Sequence, residues 1–346
     1  METCPKPGDD LRHGAPAASP AVSIHRVRPG EYVTTPASAP WWERDEDLHR
    51  ARLRSACHHI IGAVAVLQSA ALLHGAHLKT LSPQAHLWVP WRRSATPGQT
   101  GRLWSLSPAL REVRLSGRSV VNHRMEIDQE DVVDIDGMPT TGLMQTVVQC
   151  ARFLPADEAF DVVDSLVAVA AGRDAQWREH RSEVESAARM FLESARRVLE
   201  GFRGQRGAAQ AREILECSTP LSESVWESEM RRVALAAGYV EAEPQMEIRT
   251  STGVRWADLG MRRARRCFEA NGDVKYSGPD GDDVREAQAW RNEELRSAGF
   301  RVVDLAVPQI RDTAGLLRVL NEHAGDTRGR RGRRLLWTPF ERARFA

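Results

Sequence analysis

The chain has 346 residues, 42% of them hydrophobic, and a formal net charge of +1 at pH 7. This length predicts two or three domains with buried cores, and the small net charge excludes a protein that attracts nucleic acid through its overall field. No stretch approaches the run of about 18 apolar residues that crosses a membrane. The N-terminus lacks a basic and then apolar signal pattern. We therefore expect a cytoplasmic protein with no membrane contact.

The cysteines and basic residues have an unusual distribution. The five cysteines stand at positions 4, 57, 150, 217 and 267 without any CxxC pair, which argues against a zinc knuckle and against a disulfide scaffold. Lysine occurs only as Lys6, Lys79 and Lys275, so the other 45 of the 48 basic residues are arginines. The planar guanidinium of arginine binds phosphate through two parallel hydrogen bonds, although GC-rich coding explains the same bias.

The first half of the chain begins with a Pro-, Gly- and Ala-rich segment over residues 1–23, for which we predict disorder. A wing-like hairpin follows over residues 24–33 and turns at Pro29-Gly30. Apolar residues at helical spacing predict a helix over 42–67 and a second one ending at Gly75. Later elements are short strands and then helices: strands over 86–90, 112–115, 123–127 and 131–135, a broken helix over 142–169, and a charged helix over 175–202. The last of these carries an apolar stripe that includes Val184, Leu192 and Leu199.

Several motifs in this half resemble the antitoxin of AbiEi-like type IV toxin–antitoxin systems. They are Val27 to Val33 in the wing, Ser69 to Gly75, Asp136 to Thr141, Gln145-Thr146, and Ala151-Arg152. The resemblance covers about residues 24 to 170 and implies a DNA-binding α/β domain with a toxin as its protein partner. Relatives carry two helices before the wing, whereas here a Pro-, Gly- and Ala-rich segment precedes it. We therefore expect no recognition helix for the major groove.

The second half is organised around a predicted β-hairpin. One strand covers Val254 to Leu259, the turn contains Gly260, and the other strand covers Arg266 to Ala270, with Asn271-Gly272 closing it. Folding the hairpin between Gly260 and Arg265 brings Asp258 and Glu269 together. Two neighbouring carboxylates repel each other unless a cation lies between them, and Mg²⁺ held in this way polarises a phosphodiester. After a helix over 284–298, a strand over 300–307 is apolar enough to be central, and a helix over 312–323 follows it.

The hairpin resembles the PD-(D/E)XK nucleases, in particular the very-short-patch-repair-like endonucleases, over about residues 219 to 320. Their second strand usually reads Glu-x-Asp-Gly and is often followed by Lys-Tyr. Here Glu269-Ala270-Asn271-Gly272 is followed by Lys275-Tyr276. The resemblance implies that Asp258 and Glu269 bind Mg²⁺ or Mn²⁺ and that Lys275 steadies the phosphate. A Glu-Ser pair on the preceding helix completes the pattern, with Glu227-Ser228 in one register and Glu223-Ser224 in a second.

Candidate DNA contacts lie in three places. Arg203 and Arg206 stand in a glycine-rich loop, where the backbone can approach phosphate, although a flexible turn between two helices is the commoner reason for such a loop. Asn271 follows the hairpin. Arg285 and Arg291 occupy a position where relatives carry basic clusters, and a solvated helix face explains each of them alone. The run Arg328 to Arg334 attracts phosphate or forms a solvated tail.

These observations predict a mixed α/β protein. A degenerate winged-helix, antitoxin-like region precedes a restriction-endonuclease-like core. The expected divisions are disorder over 1–23, an antitoxin-like domain over 24–170, a helical bridge over 171–207, the nuclease-like domain over 208–325 and a basic tail over 326–346.

Three functions stay open. One is a metal-dependent DNA endonuclease of defence or repair type, favoured by Asp258 with Glu269. The second is a DNA-binding antitoxin or regulator with an inactive nuclease fold. The third is a protein that binds a protein partner without nucleic acid. Asn271, which lacks the charge that relatives carry, favours the last two.

Overall fold

A computed structural model describes residues 12–13, 22–28, 30–90, 120–271, 290–329 and 331–345, of which 12–13 are described by their backbone alone. Most of the segment predicted to be disordered, the strand predicted over 112–115, and both Lys275 and Arg285 lie outside the described residues. The chain is mixed α/β, as predicted. It divides into two compact units: an N-terminal unit of Met1–Ala76 and Thr80–Gln149, and a C-terminal unit of His77–Lys79 and Cys150–Ala346.

The N-terminal unit begins with a three-stranded sheet. Strands β2 (Val22–Arg28) and β3 (Glu31–Pro36) form the predicted antiparallel hairpin, and β1 (Arg12–His13) pairs with the other side of β3. Gly30 has φ +86°, a conformation that glycine adopts without the steric penalty of a side chain. The hairpin packs on helix α1 (Trp41–His59) through a small apolar cluster containing Val33 and Leu48.

A five-stranded sheet completes this unit, with strand order β6-β5-β4-β8-β7. Its strands are β4 (Val64–Ala65), β5 (Ala85–Trp88), β6 (Val120–His123), β7 (Val132–Ile135) and β8 (Met138–Thr141). The accompanying helices are α2 (Leu67–Leu73) and α3 (Leu143–Phe153). The division between the units falls within α3, after Gln149. The helix predicted over 42–67 ends early, at His59. Gly62 turns the chain with φ +72°, and the fully buried Val64–Ala65 pair with β5 and β8 instead.

The C-terminal unit begins with helices, namely α4 (Ala156–Ala170), α5 (Arg181–Glu200), α6 (Ala208–Cys217) and α7 (Val225–Ala237). The predicted apolar stripe of α5 is confirmed, since Val184, Leu192 and Leu199 are all buried. That stripe packs on α4 and α6 inside the unit. The structure therefore places residues 171–207 within the C-terminal unit, which differs from the predicted division into a separate bridge.

The described strands of this unit form a sheet with the order β12-β11-β10-β9. Its strands are β9 (Glu243–Thr250), β10 (Gly253–Met261), β11 (Arg266–Asn271) and β12 (Arg301–Ala306), with β9, β10 and β11 antiparallel and β12 parallel to β11. Helix α7 contacts β9, β10 and β11. Helix α8 (290–297) leads into β12, and α9 (Val307–Arg311), α10 (Thr313–Ala324) and α11 (Pro339–Phe345) follow.

The structure corrects three sequence predictions about this sheet. Strand β9 was not predicted at all. Gly260 lies within β10, where it pairs with Cys267, and the turn is made by residues 262–265, with Arg265 at φ +52°. Among the described strands, β12 lies at the edge of the sheet and not at its centre. A hairpin turn without glycine is possible because the flanking strands hold Arg265 in its strained conformation.

The basic tail predicted over 326–346 folds back onto the C-terminal unit. Leu336 and Trp337 are buried, whereas Phe340 is exposed. Arg232 of α7 is fully buried and donates hydrogen bonds to both carboxylate oxygens of Glu341, at 3.0 and 2.9 Å, and to both of Glu229, at 2.9 and 2.8 Å. Buried charges require such pairing, so this ion-pair network fixes the end of the chain.

Candidate functional site

Four polar residues form a row across the four strands of the C-terminal sheet. The ladder pairs Leu259 with Phe268, so the next residues, Asp258 and Glu269, lie opposite each other as predicted. The same reasoning places Gln245 opposite Asp258 on the other side, because the residues flanking Gln245 pair with those flanking Asp258. Glu269 in turn pairs with Asp304 of β12. We call Gln245, Asp258, Glu269 and Asp304 the polar row.

The two hairpin carboxylates are held by the strands around them. The Asp258 Oδ2 atom accepts a hydrogen bond of 2.8 Å from the backbone N–H of Ala270. The Glu269 Oε2 atom lies 2.8 Å from the Arg291 Nη1 atom, and the same guanidinium donates to the backbone carbonyl of Trp256. Glu269 is only 1% exposed, and its Oε1 atom is buried with no hydrogen-bond partner among the described residues.

Burial raises the pKa of Glu269 above its ordinary value, and the negative charge of Asp258 raises it further. The Arg291 guanidinium and the backbone N–H of Asp258 act in the opposite direction. The ion pair favours an ionised Glu269, but burial and the Asp258 charge outweigh it, so the net shift of the pKa is upward. Glu269 therefore holds a proton more strongly than an exposed glutamate, unless another cation takes that place.

A third carboxylate, Glu227, belongs to the first turn of α7. It is buried, and it forms a reciprocal cap with Ser224: the Glu227 backbone N–H donates to Ser224 Oγ at 3.2 Å, and that hydroxyl donates to Glu227 Oε1 at 3.0 Å. Burial first, and then the charge of Asp258, raises the pKa of Glu227. The structure thus brings Glu227 into the electrostatic field of the hairpin pair. Of the two registers, Glu227 faces Asp258, whereas Glu223 binds Trp177 and Arg178.

Gln245 was missed by sequence reasoning. It is 1% exposed, and its Nε2 atom donates to Glu227 Oε2 at 3.0 Å and to Asp258 Oδ1 at 3.5 Å. Arg178 donates to its side-chain oxygen, and Arg181 donates to its backbone oxygen, each at 2.8 Å. The sequence Glu-Pro-Gln-Met around Gln245 has no strand periodicity, so no local signal identified it.

Asn271 lies beside the polar row and binds Asp304. Its Nδ2 atom donates to Asp304 Oδ1 at 2.9 Å, and Asn292 donates to the other oxygen at 3.4 Å. An aspartate at position 271 would instead face Asp304 as a like charge unless a cation bridged the two. Sequence reasoning noticed the missing charge at Asn271 but not the carboxylate that this amide satisfies.

The residues predicted to bind DNA lie in different surroundings. Arg203 and Arg206 are exposed in the loop between α5 and α6. Gly207 has φ +79°, and a Cβ atom there would meet the Arg152 carbonyl oxygen. This loop is therefore a packed turn as well as a basic one. Arg291 points at Glu269, as described above.

The polar row offers hard oxygen ligands, which are the kind that Mg²⁺ and Mn²⁺ bind. The buried Oε1 atom of Glu269, which has no hydrogen-bond partner within the described ranges, suits such a cation. Burial, and then the charge of Asp258, raises the pKa values of Glu227 and Glu269. Among the residues that the structure describes, no three His, Cys, Asp or Glu side chains are grouped so as to hold a metal ion. A cation would therefore rest on Asp258 and Glu269, with water completing its coordination.

Comparisons with known proteins identify relatives but no family. No protein-family model matches the chain. It is 28% identical over 184 residues to "Uncharacterized protein MT2308" and, equally, to "Uncharacterized protein Rv2248", from two strains of Mycobacterium tuberculosis. The match covers 53% of this chain and 60% of each relative, so it spans less than two thirds of their length.

A search of solved structures matches the crystal structure of RV2827C protein from Mycobacterium tuberculosis. That match has 18% identity and a TM-score of 0.23, and it covers 56% of this chain and 64% of the other. Separately, no helix within the described ranges is long and apolar enough to cross a membrane.

Proposed function

We propose that the C-terminal unit is a metal-dependent DNA endonuclease-like domain of the PD-(D/E)XK type, in a protein of defence or repair type. The observation that carries the proposal is the placement of Asp258 directly opposite Glu269, whose buried Oε1 atom has no partner within the described part of the chain. The order helix, three antiparallel strands, helix and parallel strand, from α7 to β12, supports it. This order agrees with the restriction-endonuclease-like core that the sequence resemblance implies.

Asp258 and Glu269 would hold Mg²⁺ or Mn²⁺ in this domain. When bound, such an ion polarises a phosphodiester and lowers the pKa of a water molecule for attack. Glu227 has a raised pKa, so it titrates closer to neutral pH than an ordinary glutamate and suits proton transfer through water. The guanidinium groups of Arg178 and Arg181, held on Gln245, supply positive charge close to these carboxylates.

A second candidate function is DNA binding without cleavage, as in an antitoxin-like or regulatory protein with a toxin as partner. Two observations favour it. The Arg291 guanidinium already pairs with Glu269 and competes with a metal ion for it. Asn271 contributes no charge. In this case the nuclease-like fold contacts the DNA backbone, and Asp258 only repels phosphate.

The test is a supercoiled-plasmid nicking assay with Mg²⁺ or Mn²⁺, combined with gel-shift binding at low salt. The proposal expects nicking by the wild type and by Asp326→Ala, an exposed aspartate of the same unit, but not by Asp258→Ala. DNA binding with no nicking by the wild type supports the second candidate. Nicking that survives Asp258→Ala contradicts the site assignment. No DNA binding at all leaves the protein-partner function.

A further inference from the structure

Gln245 adopts a strained backbone conformation in the middle of strand β9. Its φ is +46°, in the left-handed region that residues other than glycine rarely occupy. Its neighbours nevertheless keep their places in the ladder, with Pro244 paired to Leu259 and Met246 paired to Ala257. Strain of this kind persists only where the surroundings hold the residue in place, and it concentrates at functional sites.

The surroundings of Gln245 also fix which way its amide points. An arginine side chain donates hydrogen bonds and accepts none, so the Gln245 oxygen must face Arg178. The amide nitrogen must then face Glu227 and Asp258, both of which accept. The opposite orientation would leave a carbonyl oxygen against two carboxylates. Arg181 holds the backbone oxygen in addition, so both the side chain and the main chain of Gln245 are anchored.

We infer that Gln245 is a positioning residue of the polar row, which orients the Asp258 and Glu227 carboxylates with one amide group. The inference rests on the function proposed above. A single donor shared by two carboxylates holds their oxygens at a set separation and offsets part of their repulsion. The remaining Asp258 oxygen is fixed by the Ala270 backbone N–H. Gln245 thereby presents Asp258 in the orientation that cation binding beside Glu269 requires.

The chemistry excludes simpler residues at position 245. A glutamate would add a third negative charge and donate nothing when ionised. A methionine of similar length would leave the carboxylates without their shared donor and Arg178 without its acceptor. Glycine would accept the positive φ without strain but provide no amide group. Comparing methionine with glycine at position 245 therefore separates the role of the side-chain amide from that of the strained backbone.

The experiment measures Mg²⁺ affinity by calorimetry on the full chain carrying Gln245→Met or Gln245→Gly. Loss of a residue that orients a metal ligand weakens metal binding by about 10–100-fold, and we expect that loss in both variants. The glycine variant guards against misfolding as the cause, because glycine adopts the positive φ without strain. The control is Gln210→Met, which removes two hydrogen bonds to the carbonyls of Ala151 and Leu154. It should lower the thermal midpoint but leave Mg²⁺ affinity unchanged.

A second readout is the side-chain NH₂ resonance of Gln245 in the NMR spectrum, assigned with Gln245→Gly. Its chemical shift should change during a Mg²⁺ titration, with the same midpoint concentration as in calorimetry. In Asp258→Ala the chemical shift should not respond to Mg²⁺. Wild-type affinity in both Gln245 variants overturns the positioning role alone. So does an unshifted NH₂ resonance in a wild type that binds Mg²⁺. A wild type that binds no Mg²⁺ overturns the proposed function and the positioning role together.

Discussion

Replacing Asp258 by asparagine should make the protein more stable while removing the proposed cation site. Asparagine keeps the size of the side chain and an oxygen that accepts from the Ala270 backbone N–H, which now lies 2.8 Å from Asp258 Oδ2. It loses the long 3.5 Å hydrogen bond that Asp258 Oδ1 accepts from Gln245, a smaller effect than the loss of the charge. It removes the negative charge that raises the pKa of both Glu227 and Glu269. Because those two glutamates are buried, the relief is little screened by solvent.

The magnitude follows from the linkage between pKa and stability. A carboxylate whose pKa is raised on folding binds more protons in the folded state than in the unfolded state. The folded state therefore loses stability as the pH rises above 4.5, the ordinary pKa of a glutamate. Each unit of pKa corresponds to about 1.4 kcal/mol. If Asp258→Asn lowers the two pKa values by roughly one unit each, the gain at pH 8 is on the order of 1–3 kcal/mol. For a unit of this size that is about 3–10 °C in the thermal midpoint.

The assay is calorimetric unfolding of the wild type and Asp258→Asn at pH 4.5 and pH 8, with and without millimolar Mg²⁺. Asp258→Asn should unfold at the higher temperature at pH 8 without metal, and the difference should shrink at pH 4.5. Mg²⁺ should raise the midpoint of the wild type and of the control Asp326→Asn, but not that of Asp258→Asn. A lower midpoint for Asp258→Asn at pH 8, or an undiminished response to Mg²⁺, would refute the reasoning.

Further changes test the surroundings of this site and the end of the chain. Arg291→Met should increase Mg²⁺ affinity in calorimetry, because it removes the guanidinium that competes for Glu269; a decrease would mean that the arginine supports the cation site. Asn271→Asp should increase both Mg²⁺ affinity and plasmid nicking by adding the negative charge that the proposed nuclease function calls for at this position. Unchanged values of both would count against a role for this position. Arg232→Met should destabilise the protein by about 3–5 kcal/mol in urea unfolding, since it removes the counter-ion of Glu341 and leaves buried Glu229 with Lys79 alone. Glu341→Gln should cost only about 1–3 kcal/mol, because the arginine keeps its other carboxylate partner; equal losses in these two variants would show that the tail contact carries the whole network.

The structure bears on the predicted position of the two acids but not on the predicted activities. The pairing of Asp258 with Glu269 is confirmed by the strand register, while metal binding, DNA cleavage and a toxin partner stay predictions. The spacing of the two acids about a hairpin was enough to place them, because opposite positions in a hairpin are fixed by the turn between them. The predicted turn, from Gly260 to Arg265, includes the observed one at residues 262–265, although Gly260 itself belongs to β10.

Local pattern determined most of the regular structure. The stripe of α5, the β2–β3 hairpin and the paired strands β10 and β11 all follow from apolar spacing or turn residues within a short window of sequence, and such signals act before any distant contact forms. Tertiary structure decided what no short window contains. Strand β9 begins with Glu, Pro and Gln, which give no strand signal, and β10 supplies its hydrogen bonds. Gln245 and Arg291 become parts of the site, and Arg232 reaches Glu341 across 109 positions, because folding brings together charges that must be paired once water is excluded.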